Sequence, residues 1–503
     1  MTTVDRFLNS ITMYRLVLYY LVVVYALAVL FGASGILPEN PVDLLFSIFL
    51  ILATCAATNV AFAKSFGAVA NVESTYITAF ILALIISPVA YTDLVGIGFL
   101  MFASAWAMAS KYIFAIGKKH LFNPAAFGVA LSAFVLGQSA TWWVSSTLAL
   151  LPFIVIGGLL IVRKIHRFDL VAAFSVVALA SIVATSSSVG VLTPILQTLL
   201  HSSFLFLAFV MLTEPLTMPP NRSLRILYAA IVGILFAPNI HFGSLYFSPE
   251  LALLAGNIFV YIASPKGRFM LTLLEKHKLA TATYEFIFKP DRPLLFRPGQ
   301  YVEWTLGHRE SDNRGNRRFF TIASSPTEPT IRLGVKFYAP ESSFKRALLH
   351  MPIHDVLSAS HIAGDFVMPR DTNKKLVFIA GGIGITPFRS MVQYLMDKKE
   401  ERSIVLLYSN KTAGEIAYQE VFDQAAHEIG MKTVYALTDE MAPVPGTYRG
   451  FIDGALIARE IPDYKERLFY ISGPHGMVEA FKTTLRGMGV SRFSIKTDYF
   501  PGF

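Results

Sequence analysis

The pattern of apolar and polar residues changes near residue 266. Before that point, apolar runs of about 14 to 22 residues follow one another with few charges between them. Such runs are typical of helices that cross a membrane. After it, apolar and polar residues alternate with a period of two, and short apolar runs then alternate with amphipathic stretches. The pattern therefore predicts a region in lipid followed by a region in water.

Ten apolar runs predict ten membrane spans in the first region. The runs cover residues 14–32, 42–63, 74–88, 92–110, 121–137, 147–162, 170–186, 194–212, 225–238 and 249–264. Several are shorter than the roughly 20 residues that a span needs. In lipid, short or proline-bounded segments are typical of broken helices that line a cavity. We therefore expect an all-α membrane domain over residues 1–265.

The positions of Lys and Arg residues predict the orientation of these spans. Lys and Arg fall in alternate loops, and the loops between them contain neither residue: 33–41, 89–91, 138–146, 187–193 and 239–248. By the positive-inside rule, both termini and the second half of the chain face the cytoplasm. The first run lacks a small-residue cleavage site, so a cleaved signal peptide is not expected. The prediction is an integral protein of the cytoplasmic membrane.

Proline positions indicate a faint repeat within the membrane region. Pro88 ends the third run and Pro124 opens the fifth, whereas Pro215 ends the eighth and Pro249 opens the tenth. Five spans in each half would orient the halves oppositely, which is the inverted-repeat plan with a site at the repeat interface. Prolines are also common at helix ends, and chance placement accounts for the same pattern.

Two soluble domains are predicted after the membrane region. Strands at 284–288, 301–306, 318–322, 331–338 and 356–362 predict a small antiparallel β-barrel over residues 266–371. Strands at 375–380, 403–408, 432–437 and 467–472 alternate with helices. That order predicts a parallel α/β domain over residues 372–503.

Composition narrows the function classes. Only 11 of the 43 Lys and Arg residues precede residue 266, so the net charge of +9 is explained by the soluble half and the cytoplasmic loops. No nucleic-acid partner is expected. Cys55 is the one cysteine, which excludes a disulfide, a Cys-ligated iron–sulfur cluster and a Cys-rich zinc site within one chain. We therefore predict no metal site.

A glycine-rich turn is the strongest chemical signal in the chain. An apolar strand runs into Gly381, Gly382 and Gly384, and Thr386 and Pro387 then open a helix. Glycines let backbone N–H groups approach a phosphate, and the helix N-terminus adds partial positive charge. Thr386 is expected to cap the helix and Pro387 to fit its first turn. The turn lacks the third glycine of the standard dinucleotide fingerprint, so its interpretation depends on context.

A second signal lies in the predicted barrel. Alternation places Arg318 and Phe320 on one face of a strand and Thr321 on the other. An arginine can bind a diphosphate with two hydrogen bonds, and an aromatic side chain offers a flat face to a ring. Lys336, and Ser343 at a helix start, could add phosphate contacts. Alone this strand is ordinary β-sheet sequence, but the glycine turn follows about sixty residues later.

Together these motifs resemble the ferredoxin–NADP⁺ reductase family, in which a flavin-binding barrel is joined to a nicotinamide-nucleotide domain. The similarity covers residues from about 270 to 503. It rests on four pieces: Arg318-x-Phe320-Thr321-x-x-Ser324, Gly381-Gly-x-Gly384-x-Thr386-Pro387, Ser472-Gly-Pro-His-Gly-Met477 and the terminal Asp498-Tyr-Phe-Pro-Gly-Phe503. In the first piece, Phe320 stands where the family usually has Tyr.

The resemblance assigns roles to these residues. It implies that Arg318, Phe320, Thr321 and Ser324 bind FAD, with Ser343 near the diphosphate. It also implies that the glycine turn binds NAD(P)H together with a second turn that contains Gly473, Pro474 and Met477.

Two residues are implied to act on the reacting rings. Ser472 stands where many members of the family have a cysteine that positions the nicotinamide. Phe503 is expected either to stack on the isoalloxazine or to pack as an ordinary C-terminus.

The membrane region carries a weaker resemblance. It is similar to the B subunit of Na⁺-translocating NADH:quinone reductase and the D subunit of the Rnf complex at 73–84, 120–127 and 212–217. Those subunits carry flavin, so FMN or riboflavin is implied here too. Their flavin-bearing Asp-x-x-Ser-Gly-Ala-Thr motif is reduced to Ser139-Ala-Thr141, so covalent attachment is not expected. Asn123 and Glu214, polar residues beside broken helices, are the candidate ligands. Helix capping and interfacial water are their ordinary alternatives.

The resulting hypothesis is a membrane-bound, FAD-dependent NAD(P)H oxidoreductase. Electrons would pass through the membrane domain, by way of a second flavin, to a quinone or an outer-face acceptor, and other subunits could take part. One alternative is a redox-driven ion transporter. Another is a haem-containing ferric-reductase-like enzyme, but only His201 lies inside a predicted span. Asn410 and Lys411 follow the second strand of the nucleotide domain. A lysine there favours NADPH, although surface lysines are common, and the choice between NADH and NADPH stays open.

Overall fold

The computed structural model describes residues 4, 7–8, 11–67, 72–116, 119–186, 190–219, 221–243, 245–263, 268–308, 312, 316–339, 341–440 and 444–498. The chain divides into two compact units, an N-terminal unit over residues 2–266 and a C-terminal unit over residues 267–503.

The N-terminal unit is helical. Its helices are α1 (Met13–Ala33), α2 (Pro41–Ser65), α3 (Val72–Ile85), α4 (Leu94–Ile113), α5 (Pro124–Leu136), α6 (Trp143–Ser146), α7 (Leu151–Ile165), α8 (Phe168–Thr185), α9 (Leu192–His201), α10 (Phe204–Met211), α11 (Arg222–Leu235) and α12 (Pro249–Ala263). Two short hairpins are formed by β1 (Ala115–Ile116) with β2 (Lys119–His120), and by β3 (His241–Phe242) with β4 (Leu245–Tyr246).

Polar residues set where several of these helices begin. The side chains of Thr12, Asn40, Asp93 and Asn123 each accept a hydrogen bond from a backbone N–H in the first turn of the helix that follows. Such caps satisfy donors that would otherwise be orphaned. Between helices, small residues allow close contact. A Cβ atom on Gly128 would overlap the Ala103 carbonyl oxygen, so α5 and α4 pack backbone to backbone.

The prediction of ten membrane spans is wrong by length and composition. Within the described residues, four helices are long and apolar enough to cross a membrane: α1, α2, α4 and α8. The pair α9 and α10, which is bent by 67°, makes a fifth if it is one span. Helices α3, α5 and α12 have 14, 13 and 15 residues. At 1.5 Å per residue they reach about 20–22 Å, less than the ~30 Å of a hydrocarbon core.

The C-terminal unit begins with an antiparallel sheet. Its strands are β5 (Phe269–Ala280), β6 (Thr283–Pro290), β7 (Tyr301–Thr305), β8 (Arg317–Thr321), β9 (Ile331–Lys336) and β10 (Val356–Ala363), in the order β8-β7-β10-β5-β6-β9. Helix α13 (Ser343–His350) lies between β9 and β10 in the chain. The long strand β5 was not predicted, because Glu275, Lys276 and Lys278 interrupt its apolar alternation.

The predicted closure into a barrel is not found among the described residues. The edge strands β8 and β9 do not pair with each other. Because β8 ends at Thr321, the backbone contact between these edges falls beyond the strand, where the Ala323 N–H donates to the Arg332 carbonyl at 2.9 Å. Closure needs a continuous ladder between the last two strands, and β8 is too short to supply one.

The α/β part has the predicted parallel sheet. Its strands are β11 (Leu376–Gly381), β12 (Ile404–Asn410), β13 (Lys432–Leu437), β14 (Thr447–Arg449), β15 (Leu468–Ser472) and β16 (Ile495–Asp498), in the order β14-β13-β12-β11-β15-β16. The four longest were predicted, and the short strands β14 and β16 were missed. The helices are α14 (Thr386–Lys398), α15 (Gln419–Glu428), α16 (Gly454–Glu460) and α17 (His475–Gly487). The strand order reverses between β11 and β15, and ligands bind at such a switch point.

Candidate functional site

Two turns meet at the carboxyl ends of β11 and β15. Gly382 has a φ of +53°, a left-handed conformation that favours glycine. A Cβ on Gly384 would overlap the Ser472 carbonyl oxygen and lie 2.6 Å from Gly473 Cα. Only glycine allows this approach, because the neighbouring atoms belong to the backbone and cannot move aside. The two turns thus bring their backbones into contact at the switch point, and residues 381–384 and 472–474 are called the glycine floor below.

The second turn packs on the first through a methionine. Met477 Cε lies 2.8 Å from the position of a Cβ on Gly381 and of one on Gly473. Pro474 Cδ lies 3.2 Å from the same point on Gly381. The structure therefore brings Gly381, Gly473, Pro474 and Met477 together, as the sequence analysis expected.

The helix that follows the glycine turn begins differently from the prediction. Thr386 is the first residue of α14, and its hydroxyl donates to the Ile383 carbonyl at 3.2 Å instead of capping a backbone N–H. Pro387 does occupy the first turn. The Thr386 methyl lies 2.8 Å from the position of a Cβ on Gly334 in β9. Thr386 is therefore a contact between the two sheets, and the prediction that it caps the helix is wrong.

Ser472, which is buried, and Asp498, which is partly buried, lie side by side at the edge of this floor. Parallel pairing of β15 with β16 places them in register. The Ser472 hydroxyl is fully buried, and neither it nor Asp498 Oδ2 has a hydrogen-bond partner among the described residues. Burial raises the pKa of Asp498 to about 7. Asp498 belongs to the terminal motif but has no role predicted from the sequence, and Phe503, predicted to stack on the flavin or to pack as a C-terminus, lies outside the described residues.

The antiparallel sheet carries an anion position. Arg318 is buried, and its guanidinium lies 5.3 Å over the Phe344 ring. Arg318 Nη2 is 3.5 Å from Asp312 Oδ1, and the Ser343 N–H at the start of α13 donates to Asp312 Oδ2 at 2.9 Å. A carboxylate of the protein thus stands between an arginine and a helix N-terminus. The same arrangement suits one phosphate of a nucleotide diphosphate.

Phe320 continues this surface, whereas Thr321 lies on the other face of β8. The Phe320 ring packs at 6.0 Å on the Phe344 ring. The Thr321 hydroxyl is buried and has no hydrogen-bond partner in the part of the chain that the structure describes. A buried donor without a partner is costly and marks a place where a ligand atom would be stabilised. With the anion position at Arg318, these residues fit a flavin nucleotide.

Three further predicted residues are engaged within the protein. The Ser324 hydroxyl accepts the Arg332 N–H at 3.1 Å. Lys336 Nζ lies 2.8 Å from Glu415 Oε2 and so joins β9 to the α/β part. The Ser343 hydroxyl lies 2.9 Å from His308 Nε2 and accepts the Asp312 N–H at 2.9 Å. These three side chains therefore contact other protein groups and support the residues around the site.

An ionic network that the sequence analysis missed holds the two sheets together. The Glu328 carboxylate accepts from Arg389 Nη2 at 3.0 Å and from Arg332 Nε at 2.9 Å. Arg332 also pairs with Glu285 at 2.7 Å. Arg389 is buried on α14, 61 residues from Glu328. Because both ends of the network are anchored, it fixes the glycine floor relative to the anion position.

The polar residues of the N-terminal unit also cluster. Glu214 Oε1 lies 3.0 Å from His120 Nε2, and Glu214 Oε2 accepts from Asn123 Nδ2 at 2.9 Å and Thr217 Oγ1 at 3.1 Å. The Asn123 side-chain oxygen caps α5. The backbone N–H of Asn123 donates to Asn257 Oδ1 at 2.8 Å. Asn123 therefore both caps a helix and joins the buried cluster.

The cavity beside this cluster is small. It measures about 40 Å³ and is lined in part by Ser74, Thr78, Asn123 and Glu214. Lys111 Nζ donates to the Thr78 hydroxyl at 2.8 Å behind it. A flavin needs a pocket of several hundred cubic ångströms, whereas this space suits a water molecule or two. The expected binding of FMN or riboflavin by Asn123 and Glu214 does not fit this geometry.

The C-terminal half of the chain is similar to known proteins. Residues 378–483 match the oxidoreductase NAD-binding domain family. The chain is 26% identical over 236 residues to a flavohemoprotein of Oceanobacillus iheyensis, which covers 45% of this chain and 58% of that protein. It is 28% identical over 223 residues to the glycine betaine monooxygenase reductase subunit of Pseudomonas aeruginosa, which covers 41% and 56%. The chain thus spans little more than half the length of these curated relatives.

Solved structures align with the same half. The FAD/NAD-binding domain of nitric oxide dioxygenase from Vibrio cholerae aligns with 22% identity and a TM-score of 0.42, covering 47% of this chain and 99% of that one. The family match covers both turns of the glycine floor. The C-terminal half of this chain is therefore similar to FAD- and NAD(P)H-binding oxidoreductases of the ferredoxin–NADP⁺ reductase type.

Proposed function

We propose that this protein is a membrane-bound, FAD-dependent NAD(P)H oxidoreductase that delivers electrons from cytoplasmic NAD(P)H through the N-terminal unit to a quinone or an outer-face acceptor. The main support for this proposal is that the glycine floor and the anion position at Arg318 lie in one compact unit. The ion pair between Glu328 and Arg389 joins them. The part of this chain that the structure describes contains four helices of membrane-spanning length and composition.

When bound, the nicotinamide supplies a hydride that the flavin accepts, which is the cofactors' own chemistry. The protein's residues bind and orient. The glycine floor admits the dinucleotide phosphates to backbone N–H groups, and Arg318 with the start of α13 binds the flavin diphosphate. Ser472 presents a buried hydroxyl where the nicotinamide would lie. Asp498 beside it holds a proton on its carboxyl group below about pH 7.

The membrane part of the proposal rests on different support. Helices α1, α2, α4 and α8 have the length and composition of spans. The resemblance of the N-terminal half to quinone-reductase and Rnf subunits is the ground for expecting a quinone or outer-face acceptor and further subunits. A second flavin, if the protein has one, would need a site other than the small cavity at Glu214.

The proposal is tested on the full chain, purified in detergent. Its absorbance spectrum is recorded, and its rate of reduction of several electron acceptors is measured. We expect a yellow protein whose flavin absorbance is bleached by NADH or NADPH and which reduces ferricyanide and a short-chain quinone. Mass spectrometry of released and protein-bound flavin would count the flavins. A colourless protein, or one that no reduced pyridine nucleotide bleaches, contradicts the proposal. A Soret band would favour the haem-containing alternative.

Redox-driven ion movement is a second candidate. The observation that favours it is the carboxylate of Glu214, which lies with His120 and Asn123 inside a largely apolar unit. Ionisable groups in such surroundings are costly and usually functional. In sealed proteoliposomes, an ionophore should then accelerate NADH oxidation, because it dissipates the opposing gradient. A rate that does not respond to ionophores contradicts ion coupling.

A further inference from the structure

We propose that Asp439 and Glu440 make this protein select NADH over NADPH. The inference rests on the proposed nicotinamide-nucleotide site and names which of its two substrates that site takes.

The two residues follow β13 at the carboxyl edge of the parallel sheet. Strand β12 ends at Asn410, which is in register with Leu437 of β13. The pairing continues past both strands: the Thr438 N–H donates to the Asn410 carbonyl at 3.0 Å, and the Asp439 N–H donates to the Lys411 carbonyl at 2.9 Å. Lys411 and Asp439 are therefore held side by side beyond the strand ends.

This edge is where the adenosine ribose would lie. In the proposed site the phosphates lie on the floor after β11, and the family resemblance assigns the nicotinamide end to Ser472 on the β15 side. The other end of the dinucleotide must then extend over β12 and β13. In related doubly wound sheets, an acidic residue in this region accepts a hydrogen bond from the ribose 2′-hydroxyl of NADH, whereas arginine accommodates the 2′-phosphate of NADPH.

The charges at this edge disfavour a 2′-phosphate. Lys411 Nζ is 4.0 Å from Asp439 Oδ2, so the one cation that suggested NADPH already faces a carboxylate. Glu440 Oε2 accepts the Ala413 N–H at 2.7 Å, which anchors a second carboxylate there. This edge thus carries the Lys411 ammonium group and the carboxylates of Asp439 and Glu440. A dianionic 2′-phosphate would be repelled, whereas a neutral 2′-hydroxyl can donate to Asp439.

Arg449 is a second cation near this edge among the residues that the structure describes. It ends β14 and is in register with Leu437 on the far side of β13. If it were a phosphate ligand, the repulsion from Asp439 and Glu440 would be offset, so it needs a variant of its own in the test.

The experiment measures kcat/KM for NADH and for NADPH with ferricyanide on the full chain in detergent, at one ionic strength. We expect the wild type to prefer NADH by more than tenfold. Asp439→Asn should lower this preference about tenfold through a gain with NADPH, and Asp439→Arg should reverse it. Glu401→Gln, an exposed change at the amino end of β12, is the matched control and should leave the ratio unchanged. Arg449→Gln should also leave it unchanged.

Calorimetric binding of NAD⁺ and NADP⁺ gives a second readout that does not need turnover. A chain that binds NAD⁺ selectively but oxidises neither nucleotide supports this inference and contradicts the proposed function. A wild type that binds and oxidises NADPH as well as NADH overturns the inference while the proposed function stands. Use of NADPH that is lost in Arg449→Gln, or a ratio unmoved by Asp439→Asn, overturns it as well.

Discussion

The two units of this chain hold their central carboxylates in different ways. In the C-terminal unit, Glu328 is bound by two arginines, and the network extends to Glu285. In the N-terminal unit, Glu214 is bound by an imidazole, an amide and a hydroxyl. The planar guanidinium group of arginine binds a carboxylate in a fixed geometry, so Glu328 and its two arginines hold the two sheets rigidly. A carboxylate held by weaker donors in apolar surroundings is costly to keep, and such a cost points to a role in function.

In both units, the residues of the candidate site come from distant parts of the chain. Each turn of the glycine floor is encoded by neighbouring residues, but Gly384 on the first turn and Ser472 on the second are 88 residues apart, and Glu214 and His120 are 94 residues apart. Because the nucleotide motifs lie in the C-terminal unit, we expect changes at the glycine floor to impair nucleotide binding most strongly. Changes in the N-terminal unit should alter only where the electrons go.

The largest effect is expected from Gly384→Val. Its side chain would collide with the backbone at Ser472 and Gly473, which separates the two turns of the floor. We expect kcat/KM for NADH to fall by more than about 100-fold, equivalent to about 2.7 kcal/mol, while FAD stays bound. Gly487→Ala is the matched control, because a Cβ there meets nothing within 4 Å. Retention of NADH oxidation in Gly384→Val would mean that the floor does not carry the nucleotide.

The next effect is expected from Arg318→Ala. Loss of a charged, buried hydrogen-bonding partner costs about 1.5–3 kcal/mol, so FAD should bind roughly 30-fold more weakly. Quenching of flavin fluorescence during titration of the flavin-stripped protein measures the affinity. Arg317→Ala provides the comparison, because its half-exposed side chain pairs with Glu303 at 3.2 Å instead. Equal FAD affinity in the two variants would remove Arg318 from the flavin site.

A smaller and more selective effect is expected from Glu214→Gln, which keeps a polar side chain but removes the charge. NADH–ferricyanide activity should be unchanged, because the C-terminal unit is intact. Electron transfer to a quinone should fall by about tenfold, or about 1.4 kcal/mol. Asp43→Asn, in the first turn of α2, is the control carboxylate. If both activities fell together, or neither did, the division of labour between the units would be wrong.

The smallest effect concerns pH and Asp498. Its pKa is about 7 in the folded protein against an ordinary value of 3.8, so the folded state binds the extra proton between these values. This contribution to stability is complete below pH 3.8 and is lost as the pH rises through 7. The unfolding midpoint of the C-terminal unit, followed by flavin release, should therefore drop by a few degrees between pH 5 and pH 8.

Asp498→Asn should flatten that dependence, and the exposed change Glu401→Gln should preserve it. A pH dependence that is the same in Asp498→Asn and in the wild type would assign the titration to another group.

Sequence reasoning succeeded where the physical constraint is local. Glycines that permit a close backbone approach, a proline in a first turn and alternating strand residues can be read from neighbouring positions, and the nucleotide motifs were found that way. It failed on the ten spans and the closed barrel. Both depend on lengths and edge pairings that hydrophobicity does not encode. A 14-residue apolar helix and a 20-residue one share the same pattern, and the early end of β8 leaves no signal.

The sequence by itself determined that an apolar helical region precedes a sheet-rich one, and that the latter carries glycine and arginine motifs suited to nucleotides. Only the tertiary structure decided which distant residues meet: Asp312 with Arg318 and Ser343, Glu328 with Arg389, Glu214 with His120, and Asp439 with Lys411. The physical reason is that residue patterns report burial along one element. Charge pairing, in contrast, depends on side chains that chain topology brings within a few ångströms of each other.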